Sequence, residues 1–575
     1  SAVPRGRRFL FVWNADKLRL IIEQRGHSGL RDKLDGKRIM ITRRQLGLGA
    51  ATAAIMGAAQ VAHAQNAPQD PSMGRPQGVP PTRDPTAVAF YNSFNDQLAR
   101  LPQTEQPDVR VFYEMNGWTP VWTAPRLDNL RTAASKAERH GLAQYDFFDF
   151  EGLAADRSMA EMRTTAAALR YARVLSEGRI RPETVEDLWE MRKNRIDLPL
   201  GLYRALASEG VVEWYEGLAP TDLGYTNLSA GYVRYRRMIR EDGGWPTFRV
   251  GANIEPGDVD RRVPQLIQRL IAEGDLNEAE GMRLLAMADN FYGPELQEAV
   301  RSFQGRHGLA VDARIGSGTQ QSLSASAEDR ARQIALNLER RRWLARDVHP
   351  ERIEVNTAAA IMVYWKDGRP VHSNRVVVGT AANQTPSLEK PFASVVANPP
   401  WYVPAGIARN EILPRGPGYL AANDMYISNG TVIQRAGPQS ALGYVKFELR
   451  DSYAIFLHDT PSKGAFNLAY RHRSHGCVRV QDAVEFARLL LSPDPEKLAE
   501  FDTAQANRRT TRVTTGREIG VRLLYWTAFV DGQGRVAFRE DVYKRDEKLA
   551  DALGIAVSLP RPVQDGRVDA NDVGP

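Results

Sequence analysis

The stretch IFLHDTPSKGAFNLAYRHRSHGCVRV, from Ile455 to Val480, contains Cys477, the only cysteine among 575 residues. The apolar run before His458 predicts a strand, which places this histidine at a strand end. A thiol is only a few per cent ionised at neutral pH, so a nucleophilic cysteine needs a base within hydrogen-bond reach. We predict that Cys477 is a nucleophile and that His458 is its base.

The residues beside this pair offer the remaining parts of such a site. Either the backbone carbonyl or the carboxylate of Asp459 could orient His458. Gly476 allows an unusual backbone dihedral, so the N–H groups of Gly476 and Cys477 could face a developing oxyanion. His475 would donate to the same oxygen or brace the loop.

Other interpretations of the neighbouring residues stay open. Arg479 could offer a fork of donors to a substrate carboxylate. His472 is predicted to be an ordinary loop histidine, as His475 would be if it stood alone. A set of Cys, His and Asp side chains can also bind zinc, but zinc sites usually have a tighter ligand spacing or a Cys-x-x-Cys pair, and neither occurs here. We therefore predict no metal site.

Residues 40–64, MITRRQLGLGAATAAIMGAAQVAHA, have the anatomy of a secretory signal peptide that ends in a small-x-small cleavage site. The adjacent Arg43 and Arg44 indicate the twin-arginine route, and we predict a periplasmic protein. The alternative is a membrane anchor, but the apolar run is shorter than the roughly 20 residues that span a bilayer. Residues 1–39 precede Met40 and are predicted to be an upstream extension outside the working protein.

The charge of the chain is concentrated in these first residues. Residues 1–64 carry a net charge of +8 against +7 for the whole sequence, which leaves −1 for the remainder. A nearly neutral remainder removes the main compositional support for nucleic-acid binding.

A single cysteine is unusual in an exported protein, because structural cysteines there normally occur in even numbers as disulfides. One thiol stabilises nothing covalently and is exposed to oxidation. The presence of a single cysteine therefore favours a catalytic role for it, and the alternative is a buried, inert cysteine.

The roughly 500 residues after the signal peptide are more than a single hydrophobic core usually supports, which predicts several domains. The predicted fold class is multidomain α+β, with a helical scaffold domain, a small three-helix domain and a mainly-β domain that holds Cys477. The predicted segments are a linker (65–84), the helical domain (85–250), the small domain (263–326), an amphipathic connecting helix (327–349), the β-rich domain (350–545) and a disordered tail (555–575).

The small domain resembles the peptidoglycan-binding domain of cell-wall enzymes. The resemblance rests on FYGPELQEAVRSFQGRHGLAVDARIGSGTQQSLS, residues 291–324, where Ala313 stands at a position that is usually glycine. The resemblance implies binding to the cell wall. The alternative is a helical bundle that only mediates contacts.

The β-rich domain resembles L,D-transpeptidases with a YkuD-type catalytic domain, in which a histidine precedes Ser/Thr-His-Gly-Cys. Four further stretches are similar to the large, scaffold-bearing YcbB-like branch: TPSL (385–388), NPPWYVP (398–404), GPQSALGYVKF (437–447) and YWTAFVDGQGRVAFRED (525–541). The resemblance implies that Cys477 is the nucleophile, that His458 is the general base and later the acid, and that His475 and Gly476 lie on the oxyanion side.

The resemblance also implies a set of substrate-binding residues, which are Ser474, Trp401, Phe456 and Arg479. Arg479 stands where many smaller relatives have Asn, and Phe456 where relatives often have Tyr. The segment between Pro404 and Gln434, which forms a cap over the cleft in relatives, is expected to be short here.

The implied activity is acyl transfer on peptidoglycan stem peptides of the meso-diaminopimelate type, without a cofactor. Cys477 would take a tetrapeptide stem, release D-Ala and pass the acyl group to a second stem amine, which forms a 3-3 cross-link. The implied cysteine would also react with carbapenems. The alternatives are an L,D-carboxypeptidase or thiol peptidase, and a non-catalytic wall-binding scaffold protein; other cell-wall synthesis proteins are candidate partners.

Overall fold

The computed structural model describes residues 75–148, 157–450 and 455–556. The predicted upstream extension, the signal peptide, the first part of the linker and nearly all of the predicted tail lie outside these residues. Among the helices that are described, none combines the length and the apolar character needed to cross a membrane.

The first part of the chain is helical, as predicted, and packs around a core rich in aromatic residues such as Phe90, Tyr113 and Tyr171. Asp84 caps the first helix by accepting a hydrogen bond from the N–H of Thr86, which explains where that helix starts. The elements are α1 (Pro85–Leu98), α2 (Gln106–Met115), α3 (Ala124–Ser135), α4 (Arg157–Glu177), β1 (Trp189–Glu190), α5 (Leu198–Ala207), α6 (Val211–Leu218) and α7 (Leu223–Asp242).

The described end of the predicted linker already lies on this domain. Gly78 donates a backbone hydrogen bond to Glu114, and a Cβ at Gly78 would lie 2.1 Å from the backbone nitrogen of Gly117. Arg75 pairs with Asp197. The expectation of a flexible linker is therefore wrong for residues 75–84.

The small domain contains four helices where three were predicted. They are α8 (Val263–Glu273), α9 (Glu278–Met287), α10 (Pro294–Arg306) and α11 (Ser317–Ser324). Its core also takes in Phe248 and Ile254, so the packing unit begins before the predicted boundary. Ala313 has a φ of 65°, which is the left-handed conformation that glycine favours and explains why glycine is usual there.

The predicted connecting helix, α12 (Ala327–Arg342), is instead buried on nearly all sides. Its polar residues are paired with distant parts of the chain. The Asn337 amide donates to Thr527, and Glu339 accepts from the backbone of Ile180. The predicted amphipathic helix is thus present, and partners from several domains surround its polar face as well as its apolar one.

The C-terminal domain is built on strands that close into a ring. Among its described residues, ten strands belong to the main sheet system, three form a separate small sheet and two form a hairpin after the ring. The strands are β2 (Arg352–Asn356), β3 (Ile361–Lys366), β4 (Arg369–Gly379), β5 (Ser387–Ala397), β6 (Trp401–Tyr402), β7 (Met425–Ser428), β8 (Thr431–Gln434), β9 (Val445–Leu449), β10 (Leu457–His458), β11 (His472–Ser474), β12 (Val478–Val480), β13 (Thr511–Val513), β14 (Gly520–Leu524), β15 (Ala528–Val530) and β16 (Val536–Phe538).

The ring runs β5-β14-β2-β3-β4-β12-β10-β9 and closes because β5 pairs with both β14 and β9. From the helical domain, β1 adds to β5 in parallel, with Trp189 opposite Ser387. Helices α15 (Ala483–Leu491) and α16 (Pro495–Ala506) cover the ring, and Phe486 and Phe501 fill its core. This architecture agrees with the predicted α+β class.

Two tight turns join neighbouring antiparallel strands of this domain. Asp367 and Gly368 both have positive φ, as a tight turn between β3 and β4 requires. The backbone N–H of Asp531 donates to Arg535 and closes the turn between β15 and β16.

The segment between Pro404 and Gln434 forms a compact cap. It includes α13 (Ala405–Ile407), a π-helix (Ala408–Ile412), α14 (Gly416–Ala422) and the small sheet β6-β8-β7. Trp401, Ile412 and Val432 form its own apolar core.

After the ring, α17 (Arg545–Leu553) extends the ordered chain beyond the predicted end and packs Leu549 against Trp343.

Buried histidines make the fold sensitive to acid. Burial, together with the guanidinium groups of Arg342 and Arg139, lowers the pKa of His140 from 6.5 to about 3. Between these values the unfolded chain binds a proton that the folded chain does not, so stability is lost as the pH falls, at about 1.4 kcal/mol per pH unit. The pKa values of His307, His458 and His472 are lowered in the same way.

We expect His140→Gln to reduce the acid sensitivity of the fold, because glutamine does not titrate. The midpoint of urea unfolding should fall less between about pH 7 and about pH 5 in this variant than in the wild type. His349→Gln, at a partly exposed site, is the matched control. Equal pH dependence in His140→Gln and the wild type would contradict the assignment.

Candidate active site

Cys477 and His458 are brought together by two adjacent parallel strands, β10 and β12. Leu457 lies opposite Val478, and both side chains are buried in the core of the ring. Because side chains alternate along a strand, the residues on either side of this pair point to the other face. Cys477 and His458 therefore lie as diagonal neighbours on one face of the strand pair.

His458 is held in one tautomer. Its Nδ1 lies 2.5 Å from the backbone carbonyl oxygen of Asp459 and donates to it, since a carbonyl only accepts. Its Nε2 carries the lone pair, is fully buried, and has no hydrogen-bond partner among the described residues. An imidazole arranged in this way can accept a proton from a neighbouring thiol.

The electrostatic surroundings keep this imidazole neutral. Burial, and then the nearby Arg479 guanidinium, lower the pKa of His458 to about 3. At neutral pH the resting site thus contains a neutral imidazole and not an imidazolium. Proton transfer from Cys477 is consequently expected during attack, rather than as a stable ion pair before it.

Of the two acceptors predicted for His458, the structure places the Asp459 carbonyl in contact. The Asp459 carboxylate instead accepts from the backbone N–H of Tyr444 and from Lys463. Gly443 makes room for this carboxylate, since a Cβ there would lie 2.4 Å from its oxygen, and its φ is 57°. The carboxylate thus fixes the backbone that orients His458.

The loop before Cys477 is tied by hydrogen bonds within itself. The Ser474 hydroxyl donates to the Cys477 carbonyl over 2.6 Å and lies 3.2 Å from the N–H of Gly476, from which it accepts. Gly476 has a φ of 115° and needs to be glycine for that reason. The Gly476 N–H is therefore engaged by Ser474 and does not face an oxyanion here, which differs from our expectation, and buried Ser474 serves the loop.

The cap touches the site at two points. His475 Nε2 lies 2.8 Å from a carboxylate oxygen of Glu411, in the π-helix of the cap. Phe456 packs against the apolar core of the cap, and its ring lies 5.8 Å from that of His458 in an edge-on arrangement. Cys477, two residues after His475, is 6% exposed. The segment that we expected to be short therefore reaches the loop before Cys477.

Two predicted substrate-binding residues are buried. Trp401 is 1% exposed and belongs to the core of the cap, so its indole meets a substrate only if the cap moves. Arg479 is also buried and lies opposite His458 in the strand pair. Its role toward a substrate stays a prediction.

His472 is not a loop histidine, and that prediction is wrong. It lies in β11, is buried, and its Nε2 donates to the carbonyl of Thr357, 3.0 Å away. Burial lowers the pKa of His472 to about 4. Within the described ranges, no three or more His, Cys, Asp or Glu side chains group in a way that could hold a metal ion.

Sequence reasoning missed three residues that shape the site, which are Thr385, Glu411 and Gly443. Thr385 donates to the carbonyl of Gly476 from a loop about ninety residues earlier. Each acts across a long sequence separation, so local patterns carry no signal for it. Two stretches quoted for their resemblance each contained one of them, namely TPSL with Thr385 and GPQSALGYVKF with Gly443.

Comparison with known families agrees with the resemblance found in the motifs. Residues 350–521 match the YkuD family, described as "L,D-transpeptidase catalytic domain". Residues 107–231 match the family described as "Scaffold domain", and residues 261–323 match the one described as "Putative peptidoglycan binding domain". All three predicted types of domain are thereby confirmed.

A curated Haemophilus influenzae protein described as "Putative L,D-transpeptidase" is 31% identical over 239 residues, which cover 38% of this chain and 48% of that protein. The chain thus spans about half the length of this relative. A structure described as "Structure of the Ldtfm-avibactam carbamoyl enzyme" is 15% identical, with a TM-score of 0.17 over 30% of this chain and 49% of that one. An L,D-transpeptidase structure from Xylanimonas cellulosilytica is 18% identical, with a TM-score of 0.17, and the match covers 48% of this chain and 98% of that one.

We expect the contact between Glu411 and His475 to limit access to Cys477. Glu411→Gln weakens the hydrogen bond that holds the cap to the loop, so a bulky disulfide reagent should modify Cys477 several-fold faster, roughly in line with the loss of about 1 kcal/mol of hydrogen-bond energy. Glu496→Gln, on exposed α16, is the matched control. The cap contact has no gating effect if the two variants react at the same rate.

Proposed function

We propose that the protein is an L,D-transpeptidase that acts on peptidoglycan, with Cys477 as nucleophile and His458 as general base. The observation that carries the proposal is the buried Nε2 of His458, which has no hydrogen-bond partner among the described residues, on the strand face that it shares with Cys477. The matched catalytic-domain family supports the class of reaction. The matched peptidoglycan-binding family supports the class of substrate.

In the first half-reaction the Cys477 sulfur attacks the carbonyl between the L-centre of diaminopimelate and the terminal D-Ala of a tetrapeptide stem. The thiol proton passes to His458 Nε2, and the carbonyl oxygen becomes an oxyanion. When the tetrahedral intermediate collapses, the C–N bond breaks and His458 returns the proton to the leaving amine of D-Ala. A thioester on Cys477 remains.

In the second half-reaction the side-chain amine of another diaminopimelate attacks the thioester. His458 accepts the proton of this amine and returns it to the departing sulfur, which restores the thiol. The product is a 3-3 cross-link between two stems. Water in place of the amine gives carboxypeptidase action, a free D-amino acid gives exchange, and a protein amine gives anchoring to the wall.

The low pKa of His458 has a consequence for this scheme. The Arg479 guanidinium disfavours a proton on His458, but it would favour negative charge on the neighbouring sulfur. Arg479 therefore stabilises the sulfur as it loses its proton, while the imidazole holds that proton only in passing. Its buried position suits this role better than direct contact with a substrate carboxylate.

The domain arrangement and the sequence support work outside the cytoplasm. The peptidoglycan-binding domain would hold the enzyme on its polymeric substrate, and residues 40–64 would direct export by the twin-arginine route to the periplasm. Sequencing the N-terminus of the exported protein tests this, since a start near Gln65 is expected and a start at residue 1 would contradict it.

The reaction is tested by incubating the protein with muropeptides that carry tetrapeptide stems. We expect mass spectrometry to detect loss of D-Ala and formation of 3-3 dimers, and Cys477→Ala to abolish both, because no other thiol is available. Dimers that persist in Cys477→Ala would defeat the mechanism. Shortened monomers without dimers would favour the carboxypeptidase, and no turnover would favour a wall-binding scaffold protein.

We also expect a carbapenem to acylate Cys477, because ring opening of the lactam uses the same attack on a carbonyl. Intact-mass measurement should show one adduct on the wild type and none on Cys477→Ala. His458→Gln removes the proton acceptor and should slow acylation by at least about a hundredfold. Equal rates in His458→Gln and the wild type would exclude His458 as the base.

A further inference from the structure

Lys446 is a cation beside His458 to which the proposed acyl transfer gives no role. It lies in β9, and the register of the antiparallel pair places it directly opposite His458 in β10. Side chains of such a pair lie on the same face of the sheet, with their Cβ atoms about 5 Å apart. Lys446 is therefore one strand away from the proposed base, on the face that also carries Cys477.

The row of residues across the sheet continues on both sides of this pair. Val396 of β5 lies opposite Lys446, and Arg512 of β13 lies opposite Val396. On the other side, Arg479 of β12 lies opposite His458. Arg479 is 1% exposed, whereas the side chain of Lys446 is 22% exposed. Of the two cations next to His458, Lys446 is thus the more accessible to an incoming molecule.

An aromatic ring holds the ammonium group of Lys446 in place. Its Nζ lies 4.2 Å from the centre of the Phe456 ring, which is within the range of a cation–π interaction. The same ring lies 5.8 Å from the ring of His458. One ring therefore contacts both the cation and the base, and this contact keeps the positive charge close to the reacting groups.

The carboxylate that pairs with Lys446 has a second cationic partner. One oxygen of Glu448 lies 3.3 Å from Lys446 Nζ, and the other lies 2.9 Å from Arg512 Nε. Glu448 also accepts a hydrogen bond from the Ser394 hydroxyl over 2.8 Å. One negative charge thus faces two positive charges. Because an ammonium group has three N–H donors, Lys446 can bind a further anion and keep its contact with Glu448.

The electrostatics of the base agree with a positive field at this position. Burial and the Arg479 guanidinium lower the pKa of His458, and Lys446 lowers it further. A positive charge that disfavours a proton on the imidazole favours a carboxylate close to it. The field that acts on His458 would therefore also attract a substrate that carries a carboxylate near its reacting carbonyl.

The donor stem of the proposed reaction carries such a carboxylate. In a tetrapeptide it belongs to the terminal D-Ala, and only the nitrogen and Cα of that residue separate it from the carbonyl that the sulfur attacks. Its oxygens lie within about 6 Å of the attacked carbon, by the lengths of the intervening bonds. This reach is similar to the spacing of about 5 Å between neighbouring strands, which is the separation of the strands of Lys446 and His458.

We propose that Lys446 binds the terminal carboxylate of the donor stem and makes the enzyme selective for stems with a free C-terminus. This inference rests on the proposed acyl transfer. It gives Lys446 the contact with a substrate carboxylate that the sequence suggested for Arg479, which is buried. Lys446 is thereby a substrate-binding residue, and Phe456 and Glu448 hold its ammonium group.

The first test compares two alkylating reagents that differ in charge. Iodoacetate is an anion and iodoacetamide is neutral, and both alkylate the same thiol, so the ratio of their rates on Cys477 detects a nearby cation without any peptidoglycan. Lys446→Met removes the charge, and intact-mass kinetics should show that the ratio of the iodoacetate rate to the iodoacetamide rate falls about three- to tenfold. Lys446→Gln should behave in the same way, and Lys446→Arg should keep most of the ratio.

Arg512→Met is the matched control. It removes a positive charge from the same carboxylate, Glu448, but from a strand three positions away from that of His458. Lys446→Met and Arg512→Met each leave Glu448 with one cationic partner, so both should remain folded with a similar Tm. The control should change the ratio by less than about twofold. An equal fall in Lys446→Met and Arg512→Met, or no fall in either, would overturn the proposal.

The second test uses two tetrapeptide stems, one with the free carboxylate on D-Ala and one with a C-terminal amide. Lys446→Met should raise KM for the acid about ten- to a hundredfold, with a smaller effect on kcat, and should leave KM for the amide within about threefold. Equal KM for the acid in Lys446→Met and the wild type would contradict the assignment. If the wild type turns over neither stem while the alkylation ratio depends on Lys446, the anion-binding role stands and the proposed substrate fails.

Discussion

The parallel pairing of β10 with β12 is the constraint on which the candidate site depends. Leu457 and Val478 must both point into the core of the ring, and this requirement forces Cys477 and His458 onto the opposite face. A slip of one residue in either strand would put the thiol and the imidazole on different faces, at the cost of exposing one buried aliphatic side chain and burying a polar one. Hydrophobic burial therefore sets the geometry of the chemical groups, although Leu457 and Val478 take no part in the chemistry.

Buried polar groups near this pair, and others farther from it, form hydrogen bonds within the protein and not with water. The carbonyl of Asp459 fixes the tautomer of His458, while its carboxylate fixes the turn at Gly443. Farther out, helix α12 offers Asn337 and Glu339 to strands and loops of different domains. Removing one partner of a buried hydrogen bond lowers the free energy of unfolding by more than the intact bond adds to it, because the other partner is left buried and unsatisfied. The domains are thereby held in one arrangement.

Much of the architecture could be predicted from the sequence, because the signals for it are local. The helical domain, the turns at Asp367 and Asp531, and the linked positions of His458 and Cys477 each follow from patterns within a few dozen residues. The errors have a common physical cause. His472 and α12 have partners, such as Thr357, that are distant in sequence, and no periodicity records such partners. The N–H of Gly476 bonds to the nearby Ser474 hydroxyl, but the pattern of residue types does not show which way this N–H points. The same holds for Glu411, which comes to the site from the cap.

The strand β1, which the helical domain adds to β5, affects how a truncated catalytic domain would behave. Trp189 and Glu190 pair along the start of β5, and removal of the helical domain would leave that edge of β5 unpaired, while β14 still pairs with its other edge. An uncovered strand of this kind invites pairing between molecules and aggregation. A truncated catalytic fragment would thus be prone to self-association even if its ring of strands were intact. Activities measured on such a fragment would then be those of an associated species and not of the full chain.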